Sequence, residues 1–206
     1  CMQRGIAVDK KVRQKFATEL IEEMEKREDY FTAVLGHTLN PKSPKQMCAL
    51  FYDDLKQPKN FSRAKKGIPP HLTCDDEALQ KIALREPILR PLIRAISEYR
   101  SLGVFLSTFV LAALDTDGRM RTSYNICGTE TFRFSSSENA FGSGTNLQNI
   151  PKGGDGEEGE LSLPNVRKIF VPDPGFTIFD TDLSKADLRI VTWEADEPEM
   201  KAMLKE

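Results

Sequence analysis

Apolar residues at Val12, Phe16, Leu20, Ile21 and Met24 recur at spacings of three and four with charges between them, which predicts an amphipathic helix over residues 8–35. Asp9 is placed to cap it and Gly36-His37 to end it. A second helix follows, with Ser43 as cap, Pro44 at the first helical position, and Met47, Leu50, Phe51 and Leu55 facing inward. A short third helix starts at Thr73 or Asp75 and runs to Leu84. Residues 87–114 read as a longer fourth, with Leu89, Leu92, Ile93, Ile96 and Leu102 on its apolar face. Beyond residue 115 the pattern changes. Asp117-Gly118 is a hairpin signal between residues 111–114 and 119–124. Residues 166–171 predict a strand. After the turn signal Pro174-Gly175, Phe176, Ile178 and Phe179 predict another. Ser184 then caps a helix carrying Ala186, Leu188, Ile190, Val191 and Trp193, and Asp196-Glu197-Pro198 starts a last one. The class is α+β, helical first and sheet-bearing afterwards.

Charge sharpens this division. The 206 residues carry a formal net charge of −2, but residues 1–115 hold 19 Lys and Arg against 15 Asp and Glu, while 116–206 hold 10 against 16. A basic half followed by an acidic half suits a nucleic-acid-facing element followed by a metal-collecting one. Lys56, Lys59, Arg63, Lys65 and Lys66 fall within eleven residues that contain no acid, a patch able to touch phosphates without reading sequence, or equally a solvated loop. Cys1, Cys48, Cys74 and Cys127 have neither metal-ligand nor disulfide-framework spacing. The longest apolar run, residues 102–114, is too short to span a bilayer, and no signal peptide is present, so the protein is expected to be intracellular and to have no membrane partner. The chain starts at Cys1 and stops at Glu206 within a helical pattern, and is read as a piece of something longer.

Two stretches carry candidate chemistry. In the strand at 176–182, Asp180 and Asp182 are two apart and share a face, so a carboxylate is held near the end of an apolar strand. That suits a hard divalent cation such as Mg²⁺, although Asp182 serves equally well as a helix cap. The other stretch, TSYNICGTETFRFSSSENAFGSGTNLQNIPKG, offers turns and neutral hydrogen-bond donors rather than bulk charge, and by composition reads as a polar loop. The acidic, glycine-rich KGGDGEEGE that follows reads as a surface loop.

Taken in order, these segments resemble the family A DNA polymerases. Asp182, Leu183, Ser184, Asp187, Leu188 and Arg189 fill the pattern of the first palm motif, an aspartate followed by a hydrophobic residue, Ser, a variable pair, an acidic residue, Leu and Arg. Arg133, Ser135, Ser136 and Ser137, then Asn146, Leu147, Gln148, Asn149, Ile150 and Pro151, are similar to the Arg-x-Ser-Ser and Asn-Leu-Gln-Asn-Ile-Pro signatures of the same family. Asn40, Ser43, Gln46, Leu50 and Phe51 match a thumb segment, and Tyr99-Arg100 matches the pair that leads a DNA-contacting thumb helix. Three features depart from the pattern. Val104 and Leu106 stand where lysines are common, Phe132 replaces a usual Gly, and residues 138–145 form a longer insertion, closer to phage-type relatives.

The resemblance implies a helical thumb over 1–115 and the start of an antiparallel-sheet palm over 116–206, with the first catalytic motif at 176–194. It implies template-directed transfer of nucleotides from dNTPs to a primer 3′ end, in replication or repair. Asp182 would be the catalytic carboxylate and, with the Leu183 carbonyl, a ligand to Mg²⁺, two ions being expected in the complete enzyme. Ser184, Lys185 and Asp187 would lie around the nucleotide, Asp187 at the acidic position under the incoming sugar. Arg100, Arg133, Asn146, Gln148 and Asn149 would contact DNA, as would Lys59, Arg63, Lys65 and Lys66 at the thumb tip. The partners implied are primer-template DNA and dNTPs, with a monomeric protein in a bacterial cytosol or phage-infected cell. The family's Arg-x-x-x-Lys helix and His-Asp-Glu hairpin are not in this sequence, so the chain alone is expected not to polymerise. A non-catalytic DNA-binding remnant and a metal-dependent, exonuclease-like enzyme remain the alternatives.

Overall fold

The computed structural model describes residues 3–62, 69–131, 133–151, 153, 163–179, 181 and 184–204. By its internal contacts the chain divides into two compact units, Cys1–Val171 and Pro172–Glu206.

The first unit is built on helix α1 (Lys10–Leu35). Asp9 accepts from the backbone N–H groups of Lys11 and Val12, satisfying two donors that a helix start leaves without partners, and Gly36 closes the other end. α2 (Pro44–Cys48) is capped by Ser43 and runs into a π-helical turn, Ala49–Asp54; α3 (Asp76–Arg85) is capped by Asp75. α4 (Arg90–Phe105) is entered through a 3₁₀ turn, Pro87–Leu89, and leaves through a second π-helical turn, Leu106–Val110. The expected fourth helix thus stops short of residue 114.

Phe31, Met47, Phe51, Leu79, Ile82 and Ile96 form one core among the four helices. Leu20, Leu102, Phe105, Val110, Val166 and Ile169 form another, nearer the sheet. Ile21, expected inward, is exposed, because the stripe buried on α1 passes through Leu20 and Phe31 instead. Where α1 and α4 cross, Arg27 holds Glu98 at 2.9 Å and Glu23 at 2.7 Å, and the Tyr99 hydroxyl donates to Glu28 at 2.6 Å. Burial, with Glu28 opposite, pushes the Tyr99 phenol up to about 12.

Strand β1 (Ile6–Val8) is the middle of a three-stranded antiparallel sheet, between β2 (Arg119–Met120) and β5 (Phe170–Val171). This corrects two expectations. Asp117-Gly118 does sit in a turn, with Gly118 N–H on the Asp115 carbonyl, but the strand leaving it pairs with β1 rather than with residues 111–114. The expected strand at 166–171 is a 3₁₀ turn, Val166–Ile169, followed by only two strand residues, since Asn165 caps the turn through the Arg167 N–H. A separate hairpin pairs β3 (Ser123–Asn125) with β4 (Ser135–Ser137).

Behind that hairpin, Arg121 donates to Asp115 at 2.5 Å and to Asp117 at 2.7 Å. Asp115 also accepts from Asn139 at 3.1 Å and from the Ser143 hydroxyl, which pins the inserted segment 138–145 to the turn at 115–118. Gly144 closes the segment. Its φ is +84° and its N–H reaches the Ala113 carbonyl at 2.7 Å. A Cβ there would lie 1.8 Å from the Arg121 carbonyl oxygen.

The second unit holds α5 (Ala186–Glu194) and α6 (Pro198–Met203), with Lys201 over the Trp193 ring at 4.8 Å. Residues 176–179, expected as a strand, form none: no described strand pairs with them, and Phe176, Ile178 and Phe179 are exposed. Ser184 is not the cap of α5. The residue before the helix is Lys185, held left-handed at φ 54°, and the Ser184 carbonyl accepts from Arg189 at 3.0 Å.

Gly144→Ala is expected to cost about 2 kcal/mol or more, read from urea unfolding, because strain and overlap coincide there. The acid limb should also respond to the cluster. Hydrogen bonds from Ser143 and Arg121 hold Asp115 below the usual carboxylate range, and Arg121 holds Asp117 down at about 2. A depressed carboxyl stabilises the fold fully above its unfolded value near 4 and loses that contribution as pH falls through the folded value. Urea midpoints of Arg121→Ala should therefore lie below those of the unsubstituted chain at pH 5 and converge on them towards pH 2.

Candidate nucleic-acid interface

The two polar motifs of the middle of the chain are fastened together by one line of hydroxyls. The Leu147 N–H donates to Ser136 Oγ at 3.0 Å, Ser136 Oγ lies 2.8 Å from Thr122 Oγ1, and Thr122 Oγ1 donates to the Ser137 carbonyl at 2.8 Å. Each hydroxyl has a single proton. Since that of Thr122 goes to Ser137, Ser136 must be the donor between the two, and the line runs one way, Leu147 to Ser136 to Thr122 to Ser137. Thr122 is 1 % exposed and Ser136 7 %, so these bonds are made away from water, where a missing partner costs about 1–3 kcal/mol. Strand alternation turns Ser136 inward while its neighbours Ser135 and Ser137 lie on the other face.

This latch joins strand β4 of the hairpin to the 3₁₀ turn Leu147–Asn149. Arg133 lies two residues before β4 and is exposed. Its N–H donates to Thr129 Oγ1 at 2.9 Å, and that hydroxyl donates back to its carbonyl at 3.2 Å, so Thr129 holds the Arg133 backbone from both sides. Asn146 caps the turn, accepting from the Gln148 N–H at 3.0 Å. Gln148 and Asn149 are exposed on it. One cation and two amides are thus exposed on segments that the latch ties together.

The other expected site residues are placed differently. Arg100 is mostly buried: it donates to the Pro41 carbonyl at 2.9 Å and the Cys74 carbonyl at 3.0 Å, and meets Asp76 at 3.5 Å. Its guanidinium binds the α2 and α3 connections to α4. Lys59 is exposed, two residues before Phe61, which bridges to Leu72 beside the bond from the Ser62 N–H to the His71 carbonyl. Arg63, Lys65 and Lys66 lie outside the described residues, as do Phe132, Asp180, Asp182 and Leu183. In the second unit Ser184, Lys185 and Asp187 are exposed, Asp187 in the first turn of α5, where the helix dipole favours a carboxylate. Among the described residues no group of three or more His, Cys, Asp or Glu could hold a metal ion, and no helix is long and apolar enough to cross a membrane.

Sequence reasoning missed Thr122, Thr129 and the Asp115–Arg121 pair. The triple serine was the available signal, but which serine turns inward depends on a strand register that the sequence does not display.

Residues 10–206 match the model of "DNA polymerase family A". The chain is 32% identical over 191 residues to a DNA polymerase I of Caldicellulosiruptor bescii and 31% identical over 198 residues to that of Geobacillus stearothermophilus, alignments covering 91% and 94% of this chain and 20% of each relative. Among solved structures it is similar to the POL domain of Pol1 from M. smegmatis in complex with DNA primer-template and dNTP, with a TM-score of 0.67 and 25% identity over 95% of this chain and 32% of that one. The chain thus spans about a fifth of the length of the curated relatives it matches. With a family match reaching from the start of its first helix to its last residue, the chain belongs to DNA polymerase family A.

Proposed function

We propose that this chain forms the thumb, residues 1–115, and the first part of the palm, residues 116–206, of a template-directed DNA polymerase that extends a primer 3′ end from dNTPs in replication or repair. The observation that carries the reading is the hydroxyl latch. It makes one rigid block of two motifs whose exposed side chains, Arg133, Gln148 and Asn149, are donors suited to the minor groove. Acceptors there occupy similar places for every base pair, so such donors test pair shape while staying indifferent to sequence, as copying requires. Asn146, its carbonyl oxygen engaged in the cap, keeps its amide N–H groups for sugar or phosphate.

Asp182 and the Leu183 carbonyl are hard oxygen donors of the kind Mg²⁺ takes, and would hold it. A bound pair of such ions supplies charge stabilisation at the attacking and leaving oxygens. Asp187 would lie under the incoming sugar and disfavour a 2′-hydroxyl, with Ser184 and Lys185 beside the triphosphate. Lys59, Arg63, Lys65 and Lys66 would follow the duplex backbone at the thumb tip. Arg100 would act by holding the thumb helices in place, since its Nε and Nη1 are already engaged. The protein would work as a monomer in a bacterial cytosol or phage-infected cell.

Fluorescence anisotropy with a labelled primer-template tests the interface. The chain should bind it, and Arg133→Ala should weaken binding about 5–30-fold, the loss of about 1–2 kcal/mol. Ser136→Ala should weaken it as well and destabilise the chain by about 1–3 kcal/mol, having left the Leu147 N–H without its acceptor and taken from Thr122 the bond it accepts. Undiminished binding by Arg133→Ala would overturn the assignment. Catalysis is tested by grafting the chain into a family A polymerase in place of the matching segment. Asp182→Ala should then lower nucleotide incorporation about a thousandfold or more while primer-template binding survives, as the removal of several kcal/mol of charge stabilisation requires.

A further inference from the structure

The spacing of the cysteines along the chain foretells no pairing, but the fold brings two of them together. Cys48 is the last residue of α2, and Cys74 stands two residues before α3. Both are free thiols, Cys74 buried in the core among the four helices and Cys48 half-buried against it. Cys74 Sγ donates to the carbonyl of Met47, the residue before Cys48, at 3.6 Å, and it lies within hydrogen-bonding reach of the Cys48 thiol. The backbone holds this placement. The Tyr52 hydroxyl donates to the Thr73 carbonyl at 2.5 Å and Arg100 to the Cys74 carbonyl at 3.0 Å, so the Cys74 thiol cannot swing away without breaking two hydrogen bonds.

The two thiols differ in their surroundings. Burial pushes the Cys74 thiol up to about 11, so it stays protonated at neutral pH. Cys48 is the one that solvent reaches, and an oxidant meets it first. A buried thiol by itself is an inert core residue. In contact with a second thiol open to solvent, it can turn a first oxidation into a cross-link.

We propose that Cys48 and Cys74 are an oxidisable dithiol whose oxidant is hydrogen peroxide, and that the product is an intrachain disulfide between α2 and the approach to α3. Cys48 sulfur attacks the peroxide. An S–O bond forms and the O–O bond breaks, leaving a sulfenic acid and one water. Cys74 sulfur then attacks Cys48 sulfur: the S–S bond forms, the S–O bond breaks, and the departing hydroxide takes the Cys74 proton as a second water. The two thiols lose two electrons and the peroxide gains two. The cross-link closes residues 49–73 into a covalent loop around the Phe61–Leu72 bridge and restricts the unfolded chain. This site is independent of the proposed function and goes beyond it.

Peptide mapping of the full chain tests the pair. After treatment with hydrogen peroxide and capping of the remaining thiols with N-ethylmaleimide, an unreduced digest should contain the Cys48 and Cys74 peptides linked to each other, lighter than their sum by two hydrogens. Dithiothreitol should part them. The thermal midpoint of the oxidised chain should rise by about 5–10 °C and return on reduction. Cys48→Ala should abolish both effects, whereas Cys127→Ala, at an exposed thiol, should leave both in place. Should Cys48→Ala not fold, the unsubstituted chain still decides: phenylarsine oxide, which bridges adjacent thiols, should block the cross-link when added before the peroxide. Maleimide on both Cys48 and Cys74 in a chain whose Cys127 has been oxidised refutes the dithiol. So does either cysteine linked to Cys127 instead, or a midpoint that falls on cross-linking, since the native fold would then not present the two thiols to each other. None of these results bears on primer-template binding, which tests the proposed function separately.

Discussion

At the end of α4 the helix runs out of backbone donors, and the carbonyls of Val110 and Ala112 point into protein. Arg13 of α1 takes both, through Nε at 2.5 Å and Nη2 at 2.7 Å. A buried carbonyl left without a partner costs as much as a lost hydrogen bond, and a charged donor makes the stronger kind of bond. Desolvation lowers the Arg13 pKa from its ordinary value, yet a guanidinium stays charged at any ordinary pH. One side chain near the start of the chain therefore fixes where the fourth helix stops, and so where the polypeptide turns into β2 and the hairpin beyond it.

The helical layer was legible because its information is local. Asp9, Ser43 and Asp75 each stand one residue before an apolar repeat, and each caps its helix. The sheet was not legible, because its pairings join residues 6–8 to 119–120 and to 170–171, and no local window holds two of those segments. Lys185 shows another limit. Serine before a helix is a sound cap by propensity, but the left-handed lysine places the boundary one residue later, and the Ser184 carbonyl is left to Arg189.

The candidate interface was half visible. Order and identity of the motifs gave Arg133, Gln148 and Asn149; the buried hydroxyls behind them stayed hidden, since Thr and Ser in a polar stretch look alike whether they face water or one another. Arg100 is placed differently. A cation on a helix reads as a surface contact until its partners are seen, and here they are two carbonyls and a carboxylate of its own chain. Neutral donors on turns over a fixed floor are a common way to place function on loops while a rigid scaffold keeps their positions.

The central place of β1 bears on how the chain reaches this form. A three-residue strand whose two neighbours lie more than 110 and more than 160 residues away has to wait for both loop closures before either ladder rewards it. The helices, closed by short-range contacts, can form well before. Assembly of the first unit should thus finish at the β1 ladders, after the helices that follow β1 in the sequence have formed.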